Sequence, residues 1–352
     1  MFSKIKNRIK NKIKNTGANI VYDGIDRYNR VNILSNIQKD ASASNRVQIL
    51  FECDDVDKNL LFPKKHSPVI SDSKKDYYIN NYGMHDYMIS FFNDITSCID
   101  LSGKRVLEIG GSHHPVELAI GDSGAKKWVC VDKPWIYNSQ SDDTHFKNIP
   151  VLKLGDVALD SALKDNDYIL FNNYGEDITD DFYDKFDVCI SICSFEHIKL
   201  LPIVLDKIYN SLKKGGILYS VFAPIWSSVE GNHLWIEEEG VKITHGAGFG
   251  YPEELRLVHL TKGYAETYEL LEKRFGVEAA KKHVFNFRNP DFTNNLFYED
   301  YIYLMHKTAF GRKSVSPLYF HNIIQQDMIL LQNLYPGYNA FDVGGVVIQA
   351  VK

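Results

Sequence analysis

The 352-residue sequence contains no run of about eighteen apolar residues, so no segment is predicted to cross a membrane as a helix. It also lacks an excess of positive charge, because 40 lysines and arginines stand against 45 acidic residues and give a net charge of −5. Proteins that coat nucleic acid are usually basic, so this balance argues against a nucleic-acid partner. The lysine-rich start has no apolar stretch or cleavage site typical of a signal peptide, and we expect a cytoplasmic protein.

Cysteine is also scarce, and no C-x-x-C pair occurs. The odd count of five favours free thiols in a reducing compartment. Otherwise the composition, 44% hydrophobic and 24% charged, is typical of a globular protein, and the length suits roughly two domains.

Residues 1–15 differ from the rest of the chain in charge. They carry six basic residues and no acidic one, so the rest of the chain has a net charge of −11. Apolar residues recur there at spacings of three and four, so a helix would have one apolar stripe. Two interpretations stay open: a helix that contacts an anionic membrane surface, and an ordinary terminal helix or basic tail.

From Leu101 onward, short apolar runs alternate with helical stretches, which is typical of βαβ units around a parallel sheet. The predicted strands are Arg105–Ile109, Trp128–Asp132, Tyr168–Phe171, Asp187–Cys193, Ile217–Phe222 and a closing strand within Val343–Val351. The spacing of apolar residues from Leu200 to Leu212 predicts a helix before the fifth strand, ended by Gly215 and Gly216. We expect an N-terminal extension over 1–79, a core over 80–235, an inserted cap over 236–316 and a return to the core over 317–352.

Gly110 and Gly111 follow the first strand, where glycine lets the backbone turn sharply and approach a ligand closely. Asp132 ends the second strand, twenty-four positions after Glu108. In doubly wound folds, an acid at this place holds two ribose hydroxyls. The turn does not fit G-x-G-x-x-G, because Ser112 to His114 follow Gly111, so a nicotinamide or flavin dinucleotide is disfavoured.

Four segments, in this order, resemble the successive motifs of class I S-adenosylmethionine-dependent methyltransferases. They are Val106–Gly111, Val131-Asp132, Phe186–Ile198 and Leu212–Gly216. The resemblance covers roughly residues 80 to 225 and the closing strand. It implies an α/β, Rossmann-like sheet of seven strands with an antiparallel last strand, and S-adenosylmethionine as the cofactor over the tips of the first, second and fourth strands.

The resemblance also implies roles for single residues. Glu108 and Gly110, with Gly111, would lie beside the methionine part of the cofactor, and Asp132 would hold its ribose. Ser194 would lie at the cofactor beyond the fourth strand.

In this family, an acidic residue after the third strand accepts a hydrogen bond from the adenine amino group. The turn that contains Asp177 and Ile178 fits that role best, and Asp156 after Gly155 is the alternative.

A methyl transfer requires a positioned acceptor and the removal of its proton, since the cofactor supplies an activated carbon. His197 directly follows the fourth strand and His233 lies in the loop after the fifth, so either is a candidate general base. The alternative for His197 is that the pair Glu196-His197 only orders its loop. Trp226, Trp235 and His245 combine flat apolar surfaces with a titratable nitrogen, which suits a sugar ring.

The aromatic residues around this loop have a second interpretation, as the core of the inserted segment. No metal site is predicted, because His113, His114, Asp132, His233 and His245 have no recognisable ligand spacing.

The sequence therefore predicts a methyltransferase that O-methylates a sugar or a related small polar metabolite. The Trp-Ser-Ser and Gly-Asn-His segments after the fifth strand resemble methyltransferases of bacterial surface-polysaccharide pathways. Two alternatives stay open: a natural-product or lipid-intermediate methyltransferase, and a catalytically silent scaffold that binds the cofactor. The expected partner is a small-molecule or glycan acceptor, and no oligomeric state is predicted.

Overall fold

The computed structural model describes residues 53–110, 114–132, 149–233, 236–238, 241–243, 252–288 and 293–352. The basic segment 1–15, Gly111, His113, Trp235 and His245 lie outside the described residues. Among the described helices, none has the length and apolar character needed to span a bilayer. All five cysteines lie within these ranges, and no two of them form a disulfide bond.

The strands, in chain order, are β1 (Val56–Asp57), β2 (Arg105–Ile109), β3 (Lys127–Asp132), β4 (Val151–Leu152), β5 (Tyr168–Asn172), β6 (Phe186–Ile192), β7 (Leu212–Phe222), β8 (Ile236–Glu238), β9 (Val241–Ile243), β10 (Arg312–Pro317) and β11 (Val346–Val351). The α-helices are α1 (Asp72–Tyr82), α2 (Asp86–Cys98), α3 (Leu159–Asp165), α4 (Leu201–Ser211), α5 (Val258–Thr261), α6 (Tyr264–Phe275), α7 (Val277–Arg288), α8 (Tyr298–Lys307) and α9 (Gln325–Leu334). A π-helical turn spans Glu117–Asp122.

Nine strands form one mixed sheet in the order β1-β10-β11-β7-β6-β2-β3-β5-β4, and β8 pairs with β9 separately. The strands from β7 through β6, β2 and β3 to β5 pair in parallel, whereas β11 is antiparallel to both β7 and β10. This arrangement confirms the predicted α/β sheet and its antiparallel last strand. The two-residue strands β1 and β4 at the edges account for the excess over the seven strands expected.

Both faces of the sheet are covered, which explains why its central strands are continuous apolar runs. On one face, α4 packs Val204, Leu205 and Ile208 against the sheet. On the other face, α2 contributes Phe92 and Ile95 to a second cluster. Because helices cover both faces, a ligand can reach the parallel strands only at their ends, and their carboxyl ends meet at one edge.

Helix α4 forms close to where the sequence predicts it, but the expected role of Gly215 and Gly216 as its stop is wrong. The helix ends at Ser211, and β7 begins at the next residue with both glycines inside the strand. They lie where the register between β6 and β7 shifts. Gly215 has φ +77°, and a Cβ at Gly216 would lie 2.8 Å from the Lys213 carbonyl oxygen, so the glycines permit a bulge.

The inserted region has a small core of its own, formed by residues that include Leu255, Leu271 and Ala280. The return to the sheet begins at β10, and the predicted boundary at residue 316 falls within this strand. The four-part division of the chain stays a prediction.

Candidate active site

Gly110 and Ser194 bring the tips of β2 and β6 together. Gly110 has φ +67°, a backbone conformation that side chains rarely adopt, and its N–H donates to the Val131 carbonyl oxygen at 2.8 Å. A Cβ at Gly110 would lie 2.4 Å from the Ser194 Oγ. That hydroxyl donates to the Ile192 carbonyl oxygen at 3.0 Å, which fixes it beside the glycine. The two predicted cofactor residues are therefore in contact.

This contact predicts an effect of Gly110→Ala on stability. Gly103 provides a matched control, since its φ is +69° and no atom lies within 4 Å of a Cβ placed there. Both substitutions place an alanine in a left-handed backbone conformation, which lowers the free energy of unfolding by about 1–2 kcal/mol. Only Gly110→Ala adds a clash, so we expect it to lower the free energy of unfolding by about 1–3 kcal/mol more than Gly103→Ala. Urea denaturation of the two variants measures the difference, and equal losses would contradict the contact.

Glu108 is fully buried, and both of its carboxylate oxygens are used inside the protein. The indole N–H of Trp128 donates to Oε2 at 2.8 Å, and Nδ1 of His114 lies 2.7 Å from Oε1. The ring of Phe92 packs against His114 with 4.9 Å between centroids. The carboxylate thus points into the core near the end of β2. The resemblance implies a contact with the cofactor, whereas the contacts seen here are with Trp128 and His114.

Asp132 lies at the carboxyl end of β3 and is 5% exposed. It stands opposite Asn172 of β5, and its carbonyl oxygen accepts the N–H of Asn173 at 2.9 Å. The Asn173 side chain in turn accepts the N–H of Leu154 at 2.8 Å. These hydrogen bonds hold Asp132 at the edge of the sheet, in the strand adjacent to β2.

After β5 the chain makes a 3₁₀ turn over Gly175–Asp177. A Cβ at Gly175 would lie 3.4 Å from the Ile109 side chain, so this turn packs against the end of β2. The Asp177 carboxylate accepts the N–H of Tyr174 at 3.2 Å and is exposed, whereas Ile178 is buried.

The alternative adenine residue, Asp156, follows β4, which pairs with the outer side of β5. Asp156 is exposed and lies one strand farther from β2. Of the two candidate acids, Asp177 is on the loop that contacts the tip of β2.

The structure brings His197 and His233 together. His197 ends a 3₁₀ turn directly after β6, and His233 lies in the turn after β7. Their ring centroids are 4.9 Å apart, in an edge-to-face arrangement of 67°. Glu196, which is 1% exposed, places Oε1 3.8 Å from Nε2 of His197. The two histidines predicted as alternative bases therefore belong to one cluster with an acid.

The turn that carries His233 is tightly built. His233 has φ +52°, and its Nδ1 lies 3.0 Å from the Gly231 carbonyl oxygen. A Cβ at Gly231 would lie 2.3 Å from the carbonyl oxygen of Trp226, so only glycine fits this position. The close packing sets the direction of the imidazole.

Asn294, in the inserted region, supports the turn that carries Glu196 and His197. The backbone N–H of Asn294 donates to the Glu196 carbonyl oxygen, and its side-chain amide donates to the Phe195 carbonyl oxygen, both at 2.7 Å. The Asn294 side chain also accepts the hydroxyl of Tyr301 at 3.1 Å. Asn294 is 2% exposed, and its two hydrogen bonds to backbone carbonyl oxygens hold the Phe195–His197 turn in place.

Two tyrosines beside the cluster are absent from the sequence prediction. Desolvation raises the pKa of Tyr87, on α2, and the nearby charges of Cys193 and Glu196 raise it further. Burial raises the pKa of Tyr319 in the same way, and the charge of Glu230 is the largest electrostatic contribution to the increase. The ring of Tyr319 packs over Gly344, where a Cβ would lie 1.9 Å from the ring. Neither tyrosine lies in a motif, so only the fold reveals them.

Trp226, predicted to contact the substrate, packs partly against the inserted region. Its ring centroid lies 4.7 Å from that of His259 on α5, and Nε2 of His259 lies 2.8 Å from the Trp226 carbonyl oxygen. Trp226 is half-buried, so part of the indole is accessible at the loop after β7.

No model of a known protein family matches the chain, and no curated protein matches it. Solved structures similar to it include an S-adenosylmethionine-dependent methyltransferase from Archaeoglobus fulgidus, with 9% identity, a TM-score of 0.40, and coverage of 79% of this chain and 99% of that chain. Another is phosphoethanolamine N-methyltransferase 2 of Haemonchus contortus in complex with S-adenosylmethionine, with 13% identity, a TM-score of 0.36, and coverage of 81% and 53%. A methyltransferase of Mesorhizobium loti has 10% identity, a TM-score of 0.31, and coverage of 72% and 93%. Because every one of these TM-scores lies below 0.5, we base the assignment of function on the residues and the topology of this chain.

Proposed function

We propose that the chain is an S-adenosylmethionine-dependent methyltransferase that methylates a hydroxyl of a sugar or a related small polar acceptor. One observation carries the proposal: the tight Gly110–Ser194 contact, Asp132 and the paired imidazoles of His197 and His233 occupy the same carboxyl edge of the parallel sheet. In open α/β sheets, ligands bind at this edge. A cofactor site and a proton-accepting group would thus share this edge.

On the cofactor side, Gly110, Gly111 and Ser194 would allow the backbone to approach the methionine part. Asp132 would accept hydrogen bonds from the two ribose hydroxyls. Asp177 and Ile178 would contact the adenine, since their turn packs on the end of β2.

Glu108 would act differently, as a positioning residue. Its carboxylate holds Trp128 and His114 in the core and stabilises the strand tip from below. The cofactor would then be contacted by the backbone of this turn.

On the acceptor side, the cofactor supplies an activated methyl group, so the protein has to orient the acceptor and receive its proton. Nδ1–H of His233 donates to the Gly231 carbonyl oxygen, which leaves the lone pair on Nε2. His197 lies next to it and is 31% exposed, so His197 would be the member of the pair that reaches a bound hydroxyl, whereas His233 is buried behind it.

An acceptor with several hydroxyls would suit the other groups around the pair. Trp226, together with Trp235 and His245, would supply the apolar surface and polar partners that a sugar ring needs. The phenols of Tyr87 and Tyr319 would add donors. Product mass spectrometry on a panel of nucleotide sugars and glycans would identify the acceptor, and a methylated lipid intermediate as the only product would favour the alternative class.

Binding of the cofactor is tested with Asp132→Ala. We expect the affinity for S-adenosylmethionine and for its demethylated product to fall by about 1–3 kcal/mol, because two ribose hydroxyls lose their acceptor. Isothermal titration calorimetry measures both ligands. Asp165→Ala, at the exposed last residue of α3, is the matched control and should bind normally. Saturable binding of NADH, with no binding of S-adenosylmethionine or of its demethylated product, would refute the proposal.

A further inference from the structure

We propose that Glu196, His197 and His233 bind one divalent transition-metal ion, and that the acceptor oxygen becomes a further ligand of this ion. Each residue offers one ligand atom, and the three atoms lie within 4.8 Å of one another. The sequence shows no spacing that would reveal this set, because Glu196 and His197 are neighbours and His233 lies on a different loop. Metal binding needs only these three residues, whereas the role of the acceptor rests on the proposed function.

The distances suit an ion that enters between the side chains. At a spacing of 4.8 Å, an ion in the centre would lie about 2.8 Å from each atom, and typical bonds from zinc to nitrogen or oxygen are about 2.0–2.2 Å. A movement of under about 1 Å by each ligand atom therefore completes the site. His197 can make that movement, because its side chain is 31% exposed.

His233 has the second hydrogen bond that metal-binding histidines normally have. Its Nδ1–H donates to the Gly231 carbonyl oxygen at 3.0 Å, which sets the tautomer with the lone pair on Nε2, the atom that would bind the ion. The left-handed backbone of His233, with φ +52°, is held by the close packing at Gly231. Uncommon backbone conformations of this kind cluster at functional sites.

Glu196 supplies a negative charge at a position where only 1% of the residue is exposed. A divalent cation between Glu196 and the two imidazoles would carry the opposite charge, and in this buried place their attraction would be stronger than in water.

The chemical types of the three ligand atoms determine which metal ions would bind. Two imidazole nitrogens and one carboxylate favour Zn²⁺, Fe²⁺, Co²⁺ or Mn²⁺, whereas Mg²⁺ and Ca²⁺ prefer oxygen ligands alone. Three protein ligands leave at least one coordination position open, as in catalytic zinc sites. The open position would face the same edge of the sheet as Gly110 and Ser194.

An acceptor hydroxyl in that position would lose its proton more readily, because a bound cation lowers the pKa of a ligated hydroxyl or water. The proton would leave to water. The oxygen lone pair would then form the new bond to the methyl carbon, while the electrons of the carbon–sulfur bond return to sulfur and leave a neutral thioether. The histidines would hold the ion rather than take the proton themselves.

The test uses the full-length chain after treatment with a chelator, titrated with Zn²⁺ by calorimetry and with Co²⁺ by visible absorption. We expect one ion per chain and ligand-field bands of bound Co²⁺. His197→Ala and Glu196→Gln should each weaken binding about 100-fold or more, since loss of even an outer partner of a metal ligand costs about 10–100-fold. His66→Ala changes an exposed histidine outside the cluster and should bind normally.

Circular dichroism and cofactor calorimetry would show that the variants are folded. Equal metal affinity in the wild type, His197→Ala and Glu196→Gln would overturn the metal site. Bound metal without methyl transfer to any acceptor would support the site and count against the proposed function. Methyl transfer at full rate in the chelator-treated protein would overturn the metal's role and leave the proposed function supported.

Discussion

Replacing Glu108 by alanine is expected to lower the free energy of unfolding by about 3–5 kcal/mol. The substitution leaves the Trp128 indole N–H and the His114 imidazole without their acceptor in the core, and it opens a cavity. Equilibrium unfolding in urea measures the loss.

Glu117→Ala is the matched control. Glu117 also accepts two hydrogen bonds, from Tyr77 at 2.8 Å and Tyr82 at 2.7 Å, but it lies at the surface, where water replaces it. We expect it to cost about 1 kcal/mol or less. Similar losses in the two variants would mean that the Glu108 carboxylate does not support the core, and a direct cofactor contact would then be the better interpretation.

Replacing His233 or His197 by alanine is expected to reduce turnover about a hundredfold or more while cofactor affinity stays nearly unchanged. Under the proposed function, the pair would act on the acceptor, directly as a base or through a bound ion, and this action would contribute only in the transition state. Steady-state kinetics with the identified acceptor, combined with calorimetry of the cofactor, separates the two effects.

His66→Ala should retain normal turnover, because His66 is exposed and outside the cluster. Near-normal turnover in both His197→Ala and His233→Ala would exclude the pair from the chemistry. The acceptor would then be intrinsically nucleophilic, such as an amine, or His245 would be the next candidate.

The sequence predicts the central strands well because buried parallel strands are continuous apolar runs. The first predicted strand coincides with β2, and the second differs from β3 by one residue. Strand β10 could not be predicted in the same way, since Lys313, Ser314 and Ser316 are polar. These residues are buried by pairing with β11 and by the surrounding fold, which local pattern does not show.

For the candidate site, the sequence predicts where residues lie along the sheet but not how their side chains are directed. Strand order and the shared carboxyl edge bring Gly110, Asp132 and Ser194 to one region, and these positions follow from pattern alone. The direction of the Glu108 side chain and the closeness of His197 to His233 do not, because they depend on core packing and on a turn fixed by Gly231. A metal-ligand set divided between two loops has no spacing for a sequence search to find.

The hydrogen bonds of Asn294 bear on how such an enzyme could be given a new acceptor. Because Asn294 links the inserted region to the Phe195–His197 turn, the two parts are not independent modules. Under the proposed function, grafting the insertion of another methyltransferase onto this sheet would bring in a new acceptor surface. The graft would lose the hydrogen bonds of Asn294 to the turn unless it carried an equivalent amide. Successful chimeras should therefore keep residues 293–296 from this chain and take foreign sequence only before them.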